Sequence, residues 1–296
     1  MRQNLIRSIN LWYTSFNEKK GKKFMKLFLF LLLIAMTTSN CFAQECCEPK
    51  ESNILILYYS QTGVTKKVAE ELQKQLGADI ERLEVTKPYD GDFKATIGRC
   101  MEEKKKGELP HLRPLKSDLK KYDIIFLGYP IWFGTYATPV ITLVNTFKFA
   151  GRQIVPFCTF GSGGLVESAE HLKKALPMAS IQNGYGIREA RIARVEEEVE
   201  RFLALGGFIA GEEEIYPDYS EQKPVTKDEV EIFDAACSNY QFPLGTPITV
   251  GSRKAGNAIE YLYFVNGKSP DGRDIESKIY VRVEKNKKPE FTLVVR

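Results

Sequence analysis

Histidine is nearly missing from this chain. Its 296 residues include two, His111 and His171, sixty positions apart. That leaves no imidazole cluster for a zinc centre and no histidine-activated nucleophile. The six cysteines contain no CxxC pair, which removes the usual thiol spacing for zinc or for redox exchange. A GxxxxGK[ST] phosphate loop is absent, and so is GxGxxG; "GSGGLV" at Gly161 lacks the third glycine. Both absences argue against recognition of a diphosphate. No apolar run approaches the roughly 20 residues of a membrane span; Leu27 to Met36 has ten. Charge of one sign is not in excess either. The formal net charge is +4, but residues 1–43 hold seven Lys/Arg and one acid, so the remainder carries 35 basic and 37 acidic residues. A body of net charge −2 lacks the basic face of a nucleic-acid binder, and no nucleic-acid partner is expected.

The basic start has its own reading. Lys26 precedes the apolar run Leu27–Met36, and Cys41-Phe42-Ala43 follows as a small-residue site. That is the order of a secretory signal, with Met25 as the expected start and 1–43 as the signal region. The mature chain is expected to be exported, periplasmic or extracellular, with no stable membrane span after cleavage. An uncleaved short anchor and a lipid on Cys41 are the alternatives; Thr38-Ser39-Asn40 is a poor lipidation context. Residues 44–52 read as a tail, where the adjacent Cys46 and Cys47 can pair between chains. Cys158, in an apolar strand, reads as core.

From Asn53 onward strand and helix patterns alternate. Buried strands are expected at Ile54–Tyr59, Ile80–Val85, Tyr122–Gly128 and Gln153–Phe160, the last interrupted by Pro156, with a weak fifth near Ala179–Gly184. Helices are expected at Lys66–Leu76, Phe93–Lys106, Ala137–Phe147, Ser168–Ala175 and Val195–Leu205. This alternation predicts an α/β unit over 53–206: a doubly wound five-stranded parallel sheet, order 2-1-3-4-5. A second unit, 212–296, reads as α+β. One helix, Thr226–Tyr240, opens on the capping box Thr226/Glu229, and strands follow at Gly245–Ser252, Ala258–Val265, Lys278–Val283 and Glu290–Val295. Gly256-Asn257, Asn266-Gly267 and Asp271-Gly272 are read as the turns between them.

Ligands in doubly wound sheets bind beyond the carboxyl ends of strands, where strand order reverses. Three segments fall there. Ser60-Gln61-Thr62-Gly63-Val64-Thr65 sets three hydroxyls and a run of N–H groups at a helix start, which suits an anion; equally, Thr62 or Thr65 simply caps the helix. Pro130-Ile131-Trp132-Phe133-Gly134 gathers aromatic surface that suits a planar ring, or else folds onto the protein itself. Thr159-Phe160-Gly161-Ser162-Gly163, followed by Gly164, leaves room for close backbone contact, or is an ordinary turn. A phosphorylated planar ligand accounts for all three together.

"SQTGVT", "GYPIWFGTYATP" and "TFGSGG" resemble the three flavin mononucleotide (FMN) loops of the flavodoxin family, and "KPYDGDFKATIGRCMEEKKKGELPHLRP" is similar to the long insert of a bacterial variant. The likeness covers about Ser52–Leu205. It implies that Ser60, Gln61, Thr62, Gly63, Val64 and Thr65 hold the phosphate of noncovalent FMN. It implies further that Pro130, Ile131, Trp132, Phe133 and Gly134 border the isoalloxazine, and that Thr159, Phe160, Gly161, Ser162 and Gly163 line its other side. Val64 departs from the Asn common there; the N–H matters more than the side chain. The second unit resembles the cystatin-like fold, but "SRKAG" at Ser252–Gly256 replaces the QxVxG of inhibitory members, so a spacer or a partner-docking module is expected. The resemblance implies electron transfer to a redox partner, with no catalytic side chain of the protein's own. The alternatives are an FMN-dependent NAD(P)H/quinone-type reductase and a binding module without cofactor.

Overall fold

In β1 (Ile54–Tyr58) alternate side chains enter two different cores: Leu55 and Leu57 pack on one face, Ile56 and Tyr58 on the other. A strand buried on both faces must be covered by helices on both. The computed structural model describes residues 53–90, 93–211, 216–240, 242–268 and 272–296, all within one compact unit. The expected signal region, the tail and Cys41, Cys46 and Cys47 lie outside the described residues, as does the expected boundary at 212.

Helix α1 (Val64–Leu76) follows β1 and buries Val68, Ala69 and Leu72. Next come β2 (Asp79–Arg82), α2 (Phe93–Lys106), β3 (Ile124–Trp132), β4 (Thr135–Tyr136), α3 (Thr138–Thr146), β5 (Gln153–Phe160), α4 (Leu165–Ala175), β6 (Ser180–Ile181), β7 (Tyr185–Arg188) and α5 (Val195–Leu205). Strand order is β2-β1-β3-β5-β6, all parallel, with β7 also on β5 and β4 folded antiparallel on β3. That is the expected doubly wound order. One face carries α1 and α5, through Val68, Leu72, Val199 and Leu203; the other carries α3 and α4, through Val140, Leu143 and Leu172. Each such fully buried side chain contributes about 1.5–3 kcal/mol, so these two layers dominate stability.

The first sheet departs from expectation at two strands. β5 runs through Pro156 without interruption, and it is the neighbouring fifth strand that breaks. β6 pairs with Gln153 and Ile154, β7 with Phe157 to Phe160, and the gap lies beside Pro156, which has no N–H to donate. Gly184 fills that gap, since a Cβ there would lie 2.5 Å from the Pro156 carbonyl oxygen. β3 does not end at Gly128. It continues to Trp132 and returns as β4 through Phe133 and Gly134, both at positive φ (52° and 74°), a type I′ hairpin.

The second sheet has the order β12-β11-β10-β9-β8, all antiparallel. Its strands are β8 (Lys223–Pro224), β9 (Thr246–Ala255), β10 (Ala258–Lys268), β11 (Asp274–Glu284) and β12 (Glu290–Val295). Helix α6 (Lys227–Cys237) packs Phe233 and Ala236 onto Val250, Tyr263, Ile279 and Val281. Its expected capping box is present: Thr226 N–H donates to Glu229 Oε2 (2.9 Å), and Glu229 N–H to Thr226 Oγ1 (3.4 Å). Asn266-Gly267 is not a turn but lies inside β10. The glycine that the close approach requires is Gly245, where a Cβ would fall 2.2 Å from Asn266 O and 2.7 Å from Gly267 Cα.

Candidate functional site

Strand register aligns the three segments at one edge. Tyr58 pairs with Gly128, Gly128 with Phe157, and β3 lies between β1 and β5 where the order reverses. Together with the flanking Tyr59, Gly128 and Gly164, the segments come into contact. Tyr59 N–H donates to Gly128 O (2.9 Å), and the Tyr59 and Trp132 rings meet edge-on with centroids 5.7 Å apart. Thr65 Oγ1 lies 2.8 Å from Thr159 Oγ1, joining the first segment to the third. Gly164 packs under Ile131, where a Cβ would lie 2.7 Å from Ile131 Cγ2, joining the third to the second.

The turn of the first segment is closed in a way its sequence did not disclose. Neither Thr62 nor Thr65 caps α1. The buried Ser60 Oγ accepts from Gly63 N–H and Lys66 N–H, both at 3.2 Å, and so closes the turn from three residues upstream. Gly63 supplies the left-handed kink, φ 91°. Among the described residues nothing accepts from the N–H groups of Thr62 and Val64, which stand at the positive end of the α1 dipole. The Gln61 amide is tied back to Thr96 Oγ1 (2.6 Å). Arg82, unremarked in sequence, donates from Nη2 to Ser60 O (2.7 Å) and sets an exposed cation beside the loop.

In the second segment Trp132 is half-buried, edge-on to Tyr59 and to Tyr89 (centroids 5.2 Å apart). Tyr89 comes from the long insert. Its hydroxyl donates to Glu103 Oε2 (2.5 Å) beneath the Arg99 guanidinium, which lies 3.8 Å from its ring. Burial, then the Glu103 bond, pushes the Tyr89 hydroxyl well above the usual tyrosine range. Phe133 sits 51% exposed at the hairpin tip, a place that normally takes Asn, Asp or Gly. Pro130 continues β3 beside Thr159.

In the third segment Thr159 and Phe160 are buried, Gly161 is exposed, and Ser162 and Gly163 are partly exposed. Cys158 is in the core as expected, its thiol pushed up by burial. Both histidines are exposed, as expected, but His171 Nδ1 lies 2.9 Å from Thr135 Oγ1, immediately after the hairpin. Among the described residues no group of His, Cys, Asp or Glu can hold a metal, and no helix is long and apolar enough to cross a membrane.

A doubly wound parallel sheet with a hydroxyl-rich loop, an aromatic hairpin and a glycine loop at its switch point is an α/β protein of the flavodoxin-like class. The sequence profile of the flavodoxin family matches residues 53–202. The chain therefore belongs to the flavodoxin family. Among solved structures, a Bacteroides eggerthii protein taken to be a flavoprotein is 28% identical, with 52% of this chain and 97% of that one covered, at a TM-score of 0.47. A Bacteroides uniformis protein of the same description is 24% identical over 50% and 98% of the two chains, TM-score 0.45. A Lactobacillus acidophilus flavoprotein in complex with FMN is 24% identical over 50% and 99%, TM-score 0.42. No curated protein sequence matches the chain.

Proposed function

We propose that this chain is an exported FMN protein that carries electrons. The observation that carries the reading is the mutual contact of three chemically different loops at the switch point, in a chain of the flavodoxin family. Their residues fit FMN. Thr62 and Val64 offer N–H groups to its phosphate, with Ser60 and Gly63 shaping the turn and Arg82 adding charge. Trp132 and the Phe133-Gly134 hairpin border the ring on one side, and the Gly161–Gly163 backbone borders it on the other. Bound FMN supplies one- and two-electron chemistry; the protein orients the cofactor and sets its electrostatic surroundings. With no paired acid and base or nucleophile in the three loops, the chain is read as a carrier and not as a reductase with its own substrate. Export rests on the Lys26, Leu27–Met36 and Cys41–Ala43 pattern.

The test is a titration of the chain from Gln44 onward with FMN, followed by absorbance and fluorescence quenching. Saturation at one FMN per chain is expected, with no turnover of NAD(P)H and a quinone. A protein that stays colourless and leaves FMN fluorescence unchanged refutes the reading; steady turnover replaces the carrier with a reductase.

A further inference from the structure

Strand β12 lies beyond the family-matched residues, which stop at 202, yet its outer edge ends on the glycine loop of the site. Val294 N–H donates to Ser162 O (2.9 Å), and Gly163 bridges to Val294 as a parallel strand would. The approach is so close that a Cβ on Gly163 would lie 2.1 Å from Val294 O and 3.5 Å from Leu293 Cδ1. Leu293 continues into the core that also holds Ile131, Trp132 and Leu165. A second tie runs alongside. The buried Arg188 at the end of β7 donates from Nε to Gly161 O (2.8 Å) and from Nη1 to Phe291 O (2.9 Å), and its guanidinium lies 3.9 Å from the Phe291 ring. Two carbonyls of one short loop, Gly161 and Ser162, are thus held from the C-terminal sheet, directly or through one arginine.

A glycine-rich loop has many conformations to lose when a ligand orders it, and ordering it beforehand strengthens binding. We propose that β12, with Arg188, is a built-in splint for the ring-binding loop. Val294, Leu293 and Arg188 act as positioning residues that hold Gly161–Gly163 in the form that receives the isoalloxazine. The competing explanation is that the loop merely covers the free edge of the second sheet, as exposed edges require. The proposal rests on the FMN reading above.

Val294→Pro removes the N–H that points away from β11, leaving the β11 ladder intact. Arg188→Met removes both guanidinium bonds while keeping apolar bulk, and serves if the proline variant fails to fold. Dissociation constants for FMN and riboflavin are measured by fluorescence quenching. Inorganic phosphate is measured as a competitor of FMN, and amide exchange at Ser162–Gly164 is followed in the FMN-free protein. In either variant both flavins should bind about three- to tenfold more weakly, because the loop must then be ordered on binding. The phosphate constant should be unchanged, and loop exchange faster. Unchanged flavin affinity in variants with a lowered melting temperature overturns the splint and leaves only edge cover. A parallel loss of phosphate affinity overturns it too, because the effect is then general. Failure of the wild-type protein to bind either flavin overturns the functional reading, and the splint with it.

Discussion

The Thr65–Thr159 pair separates a structural role from a binding one. The two hydroxyls are buried, 1% and 5% exposed, and 2.8 Å apart. Only one hydrogen can lie between the two oxygens, and either hydroxyl can donate it. When Thr159 donates, the Thr65 hydrogen is left for an acceptor at the helix start. Replacing either residue with isosteric valine strands the partner's buried hydroxyl, at a cost of about 1–3 kcal/mol. For a folded unit of this size that lowers Tm by roughly 3–9 °C. Replacing both removes the stranded group, so Thr65→Val/Thr159→Val should be within about 1 kcal/mol of wild type, with a coupling energy close to the sum of the two single costs. FMN affinity should behave differently. Thr65→Val loses a charge-assisted bond to phosphate, about 1.5–3 kcal/mol or roughly tenfold and more, while riboflavin affinity is unchanged. The double variant recovers stability without recovering FMN affinity. Urea melts of the four proteins and paired flavin titrations provide both readings. Additive stabilities would sink the hydrogen-bond assignment, and wild-type FMN affinity in the double variant would sink the phosphate role.

Arg82→Gln should weaken FMN, but not riboflavin, by about two- to fivefold at low salt; the exposed charge is screened, so the difference should vanish near 0.5 M salt in the same titration. Gly128→Ala would bring a Cβ to 2.1 Å from the buried Phe157 ring, so overpacking of about 1–3 kcal/mol is expected in thermal melts, relieved by adding Phe157→Leu. Glu260 accepts from Arg253 (2.7 Å) and Arg282 (2.9 Å); burial pushes its carboxyl pKa up, but the two guanidiniums outweigh this and hold it below the usual range. A depressed folded pKa contributes stability that is present above the unfolded value of about 4.3 and is lost as pH falls through the folded value. Glu260→Gln should therefore cost about 2–3 kcal/mol at pH 7, with the gap to wild type closing below about pH 4 in urea melts.

The regions that could be read ahead are those where local pattern and burial agree. α2, β5, α5 and β12 have the bounds expected from sequence. The three site segments were legible for the same reason: polar, aromatic and glycine clusters stand out against apolar strands. What was not legible depended on pairing. Whether Pro156 breaks its own strand or its neighbour is decided by which side of β5 its missing N–H faces. Asn266-Gly267 looks like a turn until Gly245 comes up against it. Ser60 caps a helix that starts four residues later, which no fixed offset from the helix start suggests.

The tie between the sheets shows the same limit most clearly. "REARIAR" at 188–194 reads as a charged stretch before a helix. In the structure Glu189–Arg194 is a 3₁₀ turn, and at three residues per turn Arg188, Arg191 and Arg194 stack along one side. Each then finds a partner about a hundred positions away: Arg188 the Phe291 carbonyl, Arg191 the Glu290 carboxylate (3.1 Å), Arg194 both Glu290 (3.2 Å) and Glu284 (3.4 Å). Arg191 also holds Glu198 at 2.6 Å, so the ladder is anchored on α5 as well as on the second sheet. With side chains mostly buried, these contacts are screened less by salt than surface pairs. A spacing of three carries no helical or strand meaning by itself. It becomes a docking rail only when the turn is 3₁₀ and the acids of β11 and β12 lie opposite. The same rail brings β12 to the glycine loop, where Val294 N–H donates to Ser162 O.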